Sequence, residues 1–79
     1  MKEVMVLIDS IDKVKEFAKK ANKVDSDLLL KSGLYTVDGK SIMGIFSLDI
    51  TKPLKLSIID DNVDISAIES FVFDKEIKS

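Results

Sequence analysis

The chain has 79 residues, a net charge of −2 and a pI near 5.0, with 46% hydrophobic and 33% charged residues. That is enough for one small domain, residues 1–79, burying about 60 to 65% of its unfolded surface. Cysteine and histidine are absent and all 12 basic residues are lysine, which excludes disulfides, thiolate or imidazole metal sites, a histidine general base and a guanidinium clamp on phosphate.

The first segment, "KEVMVL" at residues 2–7, is short and rich in Val and Met and is expected to be a strand. From Ser10 the period changes. Ile11, Val14, Phe17, Ala18, Ala21 and Val24 recur at spacings of three and four, while Lys13, Lys15, Glu16, Lys19, Lys20 and Lys23 cover the other sides. This is an amphipathic helix. Asp9 or Ser10 is its expected cap, and Asp12 adds negative charge where the dipole favours it. Residues 25–32, "DSDLLLKS", predict a second strand, Gly33 a turn, and residues 34–37, "LYTV", a third strand ended by the turn dipeptide Asp38-Gly39.

Residues 41–48 predict a short helix with few polar side chains, and residues 54–59, "LKLSII", a fourth strand. Pro53 stands at the start of that strand, where a missing N–H costs little. The last stretch, residues 65–77, has Ile65, Ile68, Phe71, Val72 and Lys75 at helical spacings, although "SFVF" within it also admits a strand. The predicted order is β-α-β-β-α-β-α, an α+β fold. The natural two-layer solution is a four-stranded antiparallel sheet with the helices on one face.

Few residues in this chain suggest catalysis. "VDSD" and "IDDNVD" cluster carboxylates without the ligand spacing or glycine of a calcium loop, and are expected to be turns. The lysine-rich face of the first helix, Lys13, Lys19, Lys20 and Lys23, is either a solvated surface or a contact for an acidic partner or RNA. The mild acidity of the chain argues against direct nucleic-acid binding, and Tyr35 is the only aromatic in a predicted strand, too few for a stacking platform. No apolar run approaches the roughly 18 residues of a membrane span, and the N-terminus has no signal-peptide core. The expectation is a cytoplasmic protein that is not an enzyme, touches no membrane, and uses no metal or cofactor.

"GKSIMGIFSLDI", residues 39–50, resembles the second-helix segment of the HPr phosphocarrier family in the form that carries a regulatory serine. "FAKKANKVDSDLLL" and "KPLKLSI" extend the resemblance, as do chain length and element order. The resemblance implies an HPr-like open-faced β-sandwich in the phosphoenolpyruvate-dependent sugar phosphotransferase system. The family's phosphoryl acceptor is a histidine within Gly-x-His-x-Arg-Pro, at the start of the first helix. Here the corner reads "LIDSIDKVKEF". Ser10 falls near the histidine position and Asp12 near the arginine. A serine phosphate is a stable ester, Ser10 has no histidine to activate it, and Asp12 would repel an incoming phosphate. Relay through Ser10 or another non-histidine acceptor is therefore the weakest reading, and Ser10 is expected to be a helix cap.

Ser41 is expected to cap its own helix whether or not it is modified, a role worth about 1 kcal/mol. The resemblance adds a second role. In the matching family form this serine is phosphorylated by a dedicated kinase, and the modified protein acts as a co-repressor in carbon catabolite control. A phosphate there would meet free N–H groups, with Lys40 adjacent. Ile42, Met43, Ile45, Phe46 and Leu48 are too many apolar groups for one side of a two-turn helix. Ile45 and Leu48 are expected in the core, whereas Ile42, Met43 and Phe46, with Lys40, are candidate partner contacts. The partners implied are an HPr kinase-like enzyme, a catabolite-control transcriptional regulator and phosphotransferase-system proteins. An unphosphorylated module occupying an HPr docking site is the alternative. Asp49 replaces the glycine that normally ends this helix in the family; aspartate tolerates the left-handed conformation at some cost.

Overall fold

A computed structural model describes residues 1–74 of the chain. The elements follow as β1 (Lys2–Val6), α1 (Ile11–Ala21), β2 (Leu28–Ser32), β3 (Tyr35–Asp38), α2 (Ile42–Phe46), β4 (Leu54–Ile58), a 3-10 helix (Ser66–Phe71) and β5 (Val72–Asp74). Among the described residues the strands form one antiparallel sheet in the order β3-β2-β4-β1-β5. It is an open α+β sandwich, with five strands where four were expected.

Alternation along the strands explains the layering. Val4 and Val6 of β1, Leu28 and Leu30 of β2, and Leu54, Leu56 and Ile58 of β4 are buried in one cluster. Val14, Phe17, Ala18 and Ala21 of α1, Ile45 of α2 and Ile68 of the 3-10 helix join it, and Ile8, Val24 and Leu48 from the connections complete it. Register places Val4 beside Leu56 and Leu56 beside Leu30, so the apolar positions share a face. The other face is mainly polar, with Met5 and Leu29 among its charged and hydroxyl groups. Glu3 lies between Lys31 and Lys55, with ammonium nitrogens 3.7 and 4.0 Å from its carboxylate, and the buried Ser57 hydroxyl donates to Glu3 Oε2 at 3.0 Å.

The predicted C-terminal helix is corrected. Ile65, Ile68 and Phe71 lie three residues apart, which suits a 3-10 turn as well as an α-helix. The Phe71 ring meets Phe17 edge-on at 5.3 Å, and its carbonyl accepts from the Leu7 N–H at 3.2 Å. The chain then extends as β5 along β1, whose outer edge would otherwise carry unpaired backbone groups. Val72 pairs with Val6 and Asp74 with Met5, leaving Phe73 as the extra residue of a bulge, 56% exposed. The part of the predicted helix at 75–77 lies outside the described residues.

Three smaller expectations also change. Ile11 sits in the first turn of α1 but is 61% exposed. Leu34 belongs to the β2–β3 turn rather than to β3 and is 99% exposed; Gly33 before it takes φ +59, which a side chain would strain. Asp49 is not left-handed, since no described non-glycine residue has a positive φ. Helix α2 has already ended with Ser47 as a right-handed cap. Asp49 instead accepts from the Thr51 N–H at 3.1 Å and from the Thr51 hydroxyl at 2.5 Å, forming a local turn.

Candidate functional site

The sequence points to two places, the N-terminus of α1 and the segment leading into α2. At the first, Ser10 has extended backbone angles, and its hydroxyl accepts from the Lys13 N–H at 3.2 Å, as an N-cap should. The Lys13 ammonium bonds Asp9 at 3.2 Å, and Asp12 lies in the first turn of the helix. The hydroxyl of Ser10 is thus part of the cap, and the charged groups beside it include two carboxylates. This corner contains no general base of the imidazole kind and no guanidinium.

At the second place, the chain leaves β3 through Asp38-Gly39. The Gly39 N–H donates to the Leu28 carbonyl at 2.7 Å, and a Cβ on Gly39 would sit 3.2 Å from both Leu28 Cβ and its oxygen. That close approach favours glycine. The Asp38 carboxylate then accepts from the Lys40 N–H at 2.9 Å, and its carbonyl accepts from the Ser41 N–H at 3.1 Å. Ser41 follows with φ −105 and ψ 115, and its Oγ accepts from the Gly44 N–H at 3.1 Å. Ser41 is the N-cap of α2, as its position ahead of an apolar run predicts.

Two long-range hydrogen bonds tie this cap to α1. The Lys40 ammonium donates to the Val24 carbonyl at 2.8 Å. The Asn22 side-chain amide donates to Ala18 O at 2.7 Å and to Lys40 O at 3.2 Å. Asn22 and Lys40 therefore clasp the C-terminal end of α1 to the entry of α2. Sequence reasoning missed Asn22, although an asparagine just past the last periodic residue is a recognised helix stop. The Lys40 ammonium, expected to stand ready beside Ser41, is engaged with Val24 in this state. Ser10 caps one end of α1 while the Ser41 segment is tethered to the other, and an 11-residue helix is roughly 16 Å long. The two serines form separate sites.

Side chains of α2 divide much as the crowding argument requires. Ile45 is fully buried and Leu48 is buried just beyond the helix, whereas Met43 is 79% exposed and Ile42 and Phe46 are about two-fifths exposed. The three exposed groups lie within five residues that directly follow Ser41, as an apolar patch beside a hydroxyl. No described group of three carboxylates is arranged to hold a metal ion.

A family model described as the phosphorylation site of the phosphotransferase-system HPr component matches residues 13–72, more than half of the chain. The chain belongs to the HPr family. It is similar to the crystal structure of HPr-C-His from Thermoanaerobacter tengcongensis, with a TM-score of 0.75 and 30% identity over 91% of each chain. No curated protein matches the sequence. Members of the HPr family carry phosphoryl groups and work with the other proteins of the phosphotransferase system. In this HPr-family chain the matched segment opens at Lys13, three residues past Ser10, and no histidine exists anywhere in the sequence. The α2 segment lies well inside the match. No described helix is long and apolar enough to cross a membrane.

Proposed function

We propose that this HPr-family domain, taken as a single unit over residues 1–79, serves in the cytoplasm as a regulatory interaction protein rather than as a phosphoryl relay. Ser41 is its switch, and Ile42, Met43 and Phe46 are its docking residues. The observation that carries this reading is the exposure of Met43 and its neighbours directly behind a capping serine, in a chain without histidine. Phosphorylation would form a bond between Ser41 Oγ and the γ-phosphorus of ATP as the bond to ADP breaks. The hydroxyl proton leaves to the kinase. The product adds about −1.5 to −2 charges and three acceptor oxygens at the edge of the apolar patch. An HPr kinase-like enzyme would write this mark, and a catabolite-control transcriptional regulator or a phosphotransferase-system protein would read it.

The test is incubation with ATP and an HPr kinase, followed by intact-mass measurement. One added phosphoryl group that Ser41→Ala abolishes is the expected result, and an unmodified wild type overturns the proposal. In parallel, labelled phosphoenolpyruvate with enzyme I should leave the protein unlabelled. Label retained on the chain would restore the relay reading.

A further inference from the structure

The two edges of the sheet are built differently. At one edge β5 is short and bulged at Phe73, an irregularity that discourages further pairing. At the other, β3 runs against β2 with no shift in register. Its residues, Tyr35, Thr36, Val37 and Asp38, include no lysine, proline or bulge to guard the edge, and the first three favour strands. Gly33 has a positive φ and Leu34 does not, the pattern of a tight type II′ hairpin turn, which leaves Leu34 and Tyr35 largely exposed. The Gly39 N–H donates to the Leu28 carbonyl, and the same register continues to the Ser32–Tyr35 pair. Hydrogen-bonded and non-bonded pairs alternate along an antiparallel ladder, so Val37 and Tyr35 direct their amides and carbonyls to β2. The amide and carbonyl of Thr36 and the amide of Asp38 point outward, and no described backbone group bonds those of Thr36.

We propose that the β3 edge pairs antiparallel with β3 of a second copy of this chain, about a twofold axis at Thr36. There Thr36 lies opposite its own counterpart, and the two exchange amide-to-carbonyl bonds through their outward groups. Tyr35 lies opposite the second copy's Val37, and Leu34 opposite its Asp38, so no charge meets a like charge. Thr–Thr and aromatic–β-branched contacts are favourable cross-strand pairs. A twofold at Val37 fits less well: it sets Tyr35 opposite Gly39 and draws on the Asp38 carbonyl, which already accepts from the Ser41 N–H. This self-complementarity favours a second copy over an unrelated extended segment. The pairing joins two five-stranded sheets and keeps both α2 helices on one face. Residues 34–38 on each side bury less than the roughly 800 Å² per partner of a stable interface, so the dimer is weak, with a Kd on the order of 0.1–1 mM. The edge acts independently of Ser41, so failure of one proposal leaves the other intact.

Translational diffusion and amide shifts, measured by NMR from about 0.05 to 2 mM protein, bracket that constant. Expected are slower diffusion at the higher concentrations and shifts centred on residues 34–38. Thr36→Pro removes an outward N–H without taking a ladder bond and should abolish both. Thr36→Lys sets like charges face to face at the axis and should weaken dimerisation by about tenfold or more, which keeps the test intact if the proline perturbs the fold. Phe73→Lys, at the opposite edge, should leave dimerisation unchanged. The chain has no cysteine, so Thr36→Cys gives a unique thiol. Hydrogen-bonded partners stand about 5.5 Å apart at Cα, so a short bismaleimide should join two Thr36→Cys chains far faster than two Phe73→Cys chains. Equal cross-linking of the two variants would overturn the proposal. So would a monomer at every concentration, a dimer that Thr36→Lys leaves intact, or concentration-dependent shifts centred on β5 or α2.

Discussion

Replacing Ser41 by alanine removes the one side-chain acceptor on the Gly44 N–H, a 3.1 Å bond at a half-buried position. Helix α2 has only five residues, too few to persist by intrinsic propensity, so the cap and the burial of Ile45 hold it. Loss of such a cap costs about 1 kcal/mol, within a range of roughly 0.5 to 2. In a domain of this size that lowers the melting temperature by about 4–8 °C per kcal/mol. The bonds from Lys40 to Val24 and from Asn22 to Lys40 remain, so the loosening should be confined to α2. Ser41→Asp supplies another oxygen to the same N–H and should stay within a few tenths of a kcal/mol of wild type. Thermal unfolding by circular dichroism gives the stabilities, and amide exchange at Gly44 reports the cap itself: protection is lost in the alanine variant and kept in the aspartate variant. If both variants lose equal stability, or if the alanine variant keeps both its melting temperature and Gly44 protection, the capping account is wrong. The comparison also matters for the kinase test. Ser41→Asp lacks the acceptor hydroxyl but keeps the helix, and so separates a missing acceptor from a missing docking surface.

Ile45→Ala should cost about 2–5 kcal/mol in urea unfolding, because Ile45 is fully buried. Met43→Ala, at a position 79% exposed, should stay within about 0.5 kcal/mol; a large loss there would make Met43 a packing residue. Lys31 and Lys55 are directly opposed on neighbouring strands, and the Glu3 carboxylate lies within 4.0 Å of both ammonium groups. Glu3→Gln exposes that repulsion and should cost on the order of 1 kcal/mol or less, given the partial exposure. The cost should shrink at 1 M salt, and no change with salt would refute the electrostatic account. At Asp49 the Thr51 hydroxyl and then the Thr51 N–H hold the carboxyl below the ordinary aspartate value; desolvation opposes them, and the Lys52 charge adds a lesser lowering. Its folded pKa is depressed, so the stabilisation it gives is present above the unfolded pKa and is lost as pH falls through the folded one. A carboxyl-carbon titration by NMR should place its midpoint below that of an unstructured aspartate, and an ordinary midpoint would remove the Thr51 turn from the account.

Legibility followed the range of the interaction that decides each feature. The buried face of α1, the strand following Pro53, and both serine caps depend on neighbours three or four residues away, so the pattern of side chains sufficed. Ile11 follows the same spacing as Phe17, yet it is exposed: periodicity tells which side a residue faces, not whether another element extends far enough to cover it. At the C-terminus, the spacing of Ile65, Ile68 and Phe71 serves a 3-10 turn and an α-helix alike. What decided between strand and helix after Phe71 was the open edge of β1, some 65 residues earlier in the chain. The Asn22–Lys40–Val24 clasp is of the same kind, since its partners lie 16 and 18 positions apart and no local pattern announces them.

The two serine caps offer the same hydroxyl in the same role, yet their surroundings would receive a phosphoryl group differently. Ser10 has Asp9 before it and Asp12 in the first turn of its helix, and the nearby Lys13 ammonium is already paired with Asp9. Added negative charge there meets like charge at short range. The first turn of α2 carries no acidic residue, and Lys40, the residue before Ser41, bonds a neutral carbonyl rather than a carboxylate. Its charge is free of a carboxylate partner among the described residues, and exchanging a carbonyl for a phosphate oxygen gains a charge-assisted bond. On electrostatic grounds alone, modification is disfavoured at the corner where the family's histidine would stand and tolerated at the cap beside the apolar patch. A chain without histidine can therefore still carry the proposed switch, because Ser10 and the segment holding Ser41 are placed at opposite ends of α1.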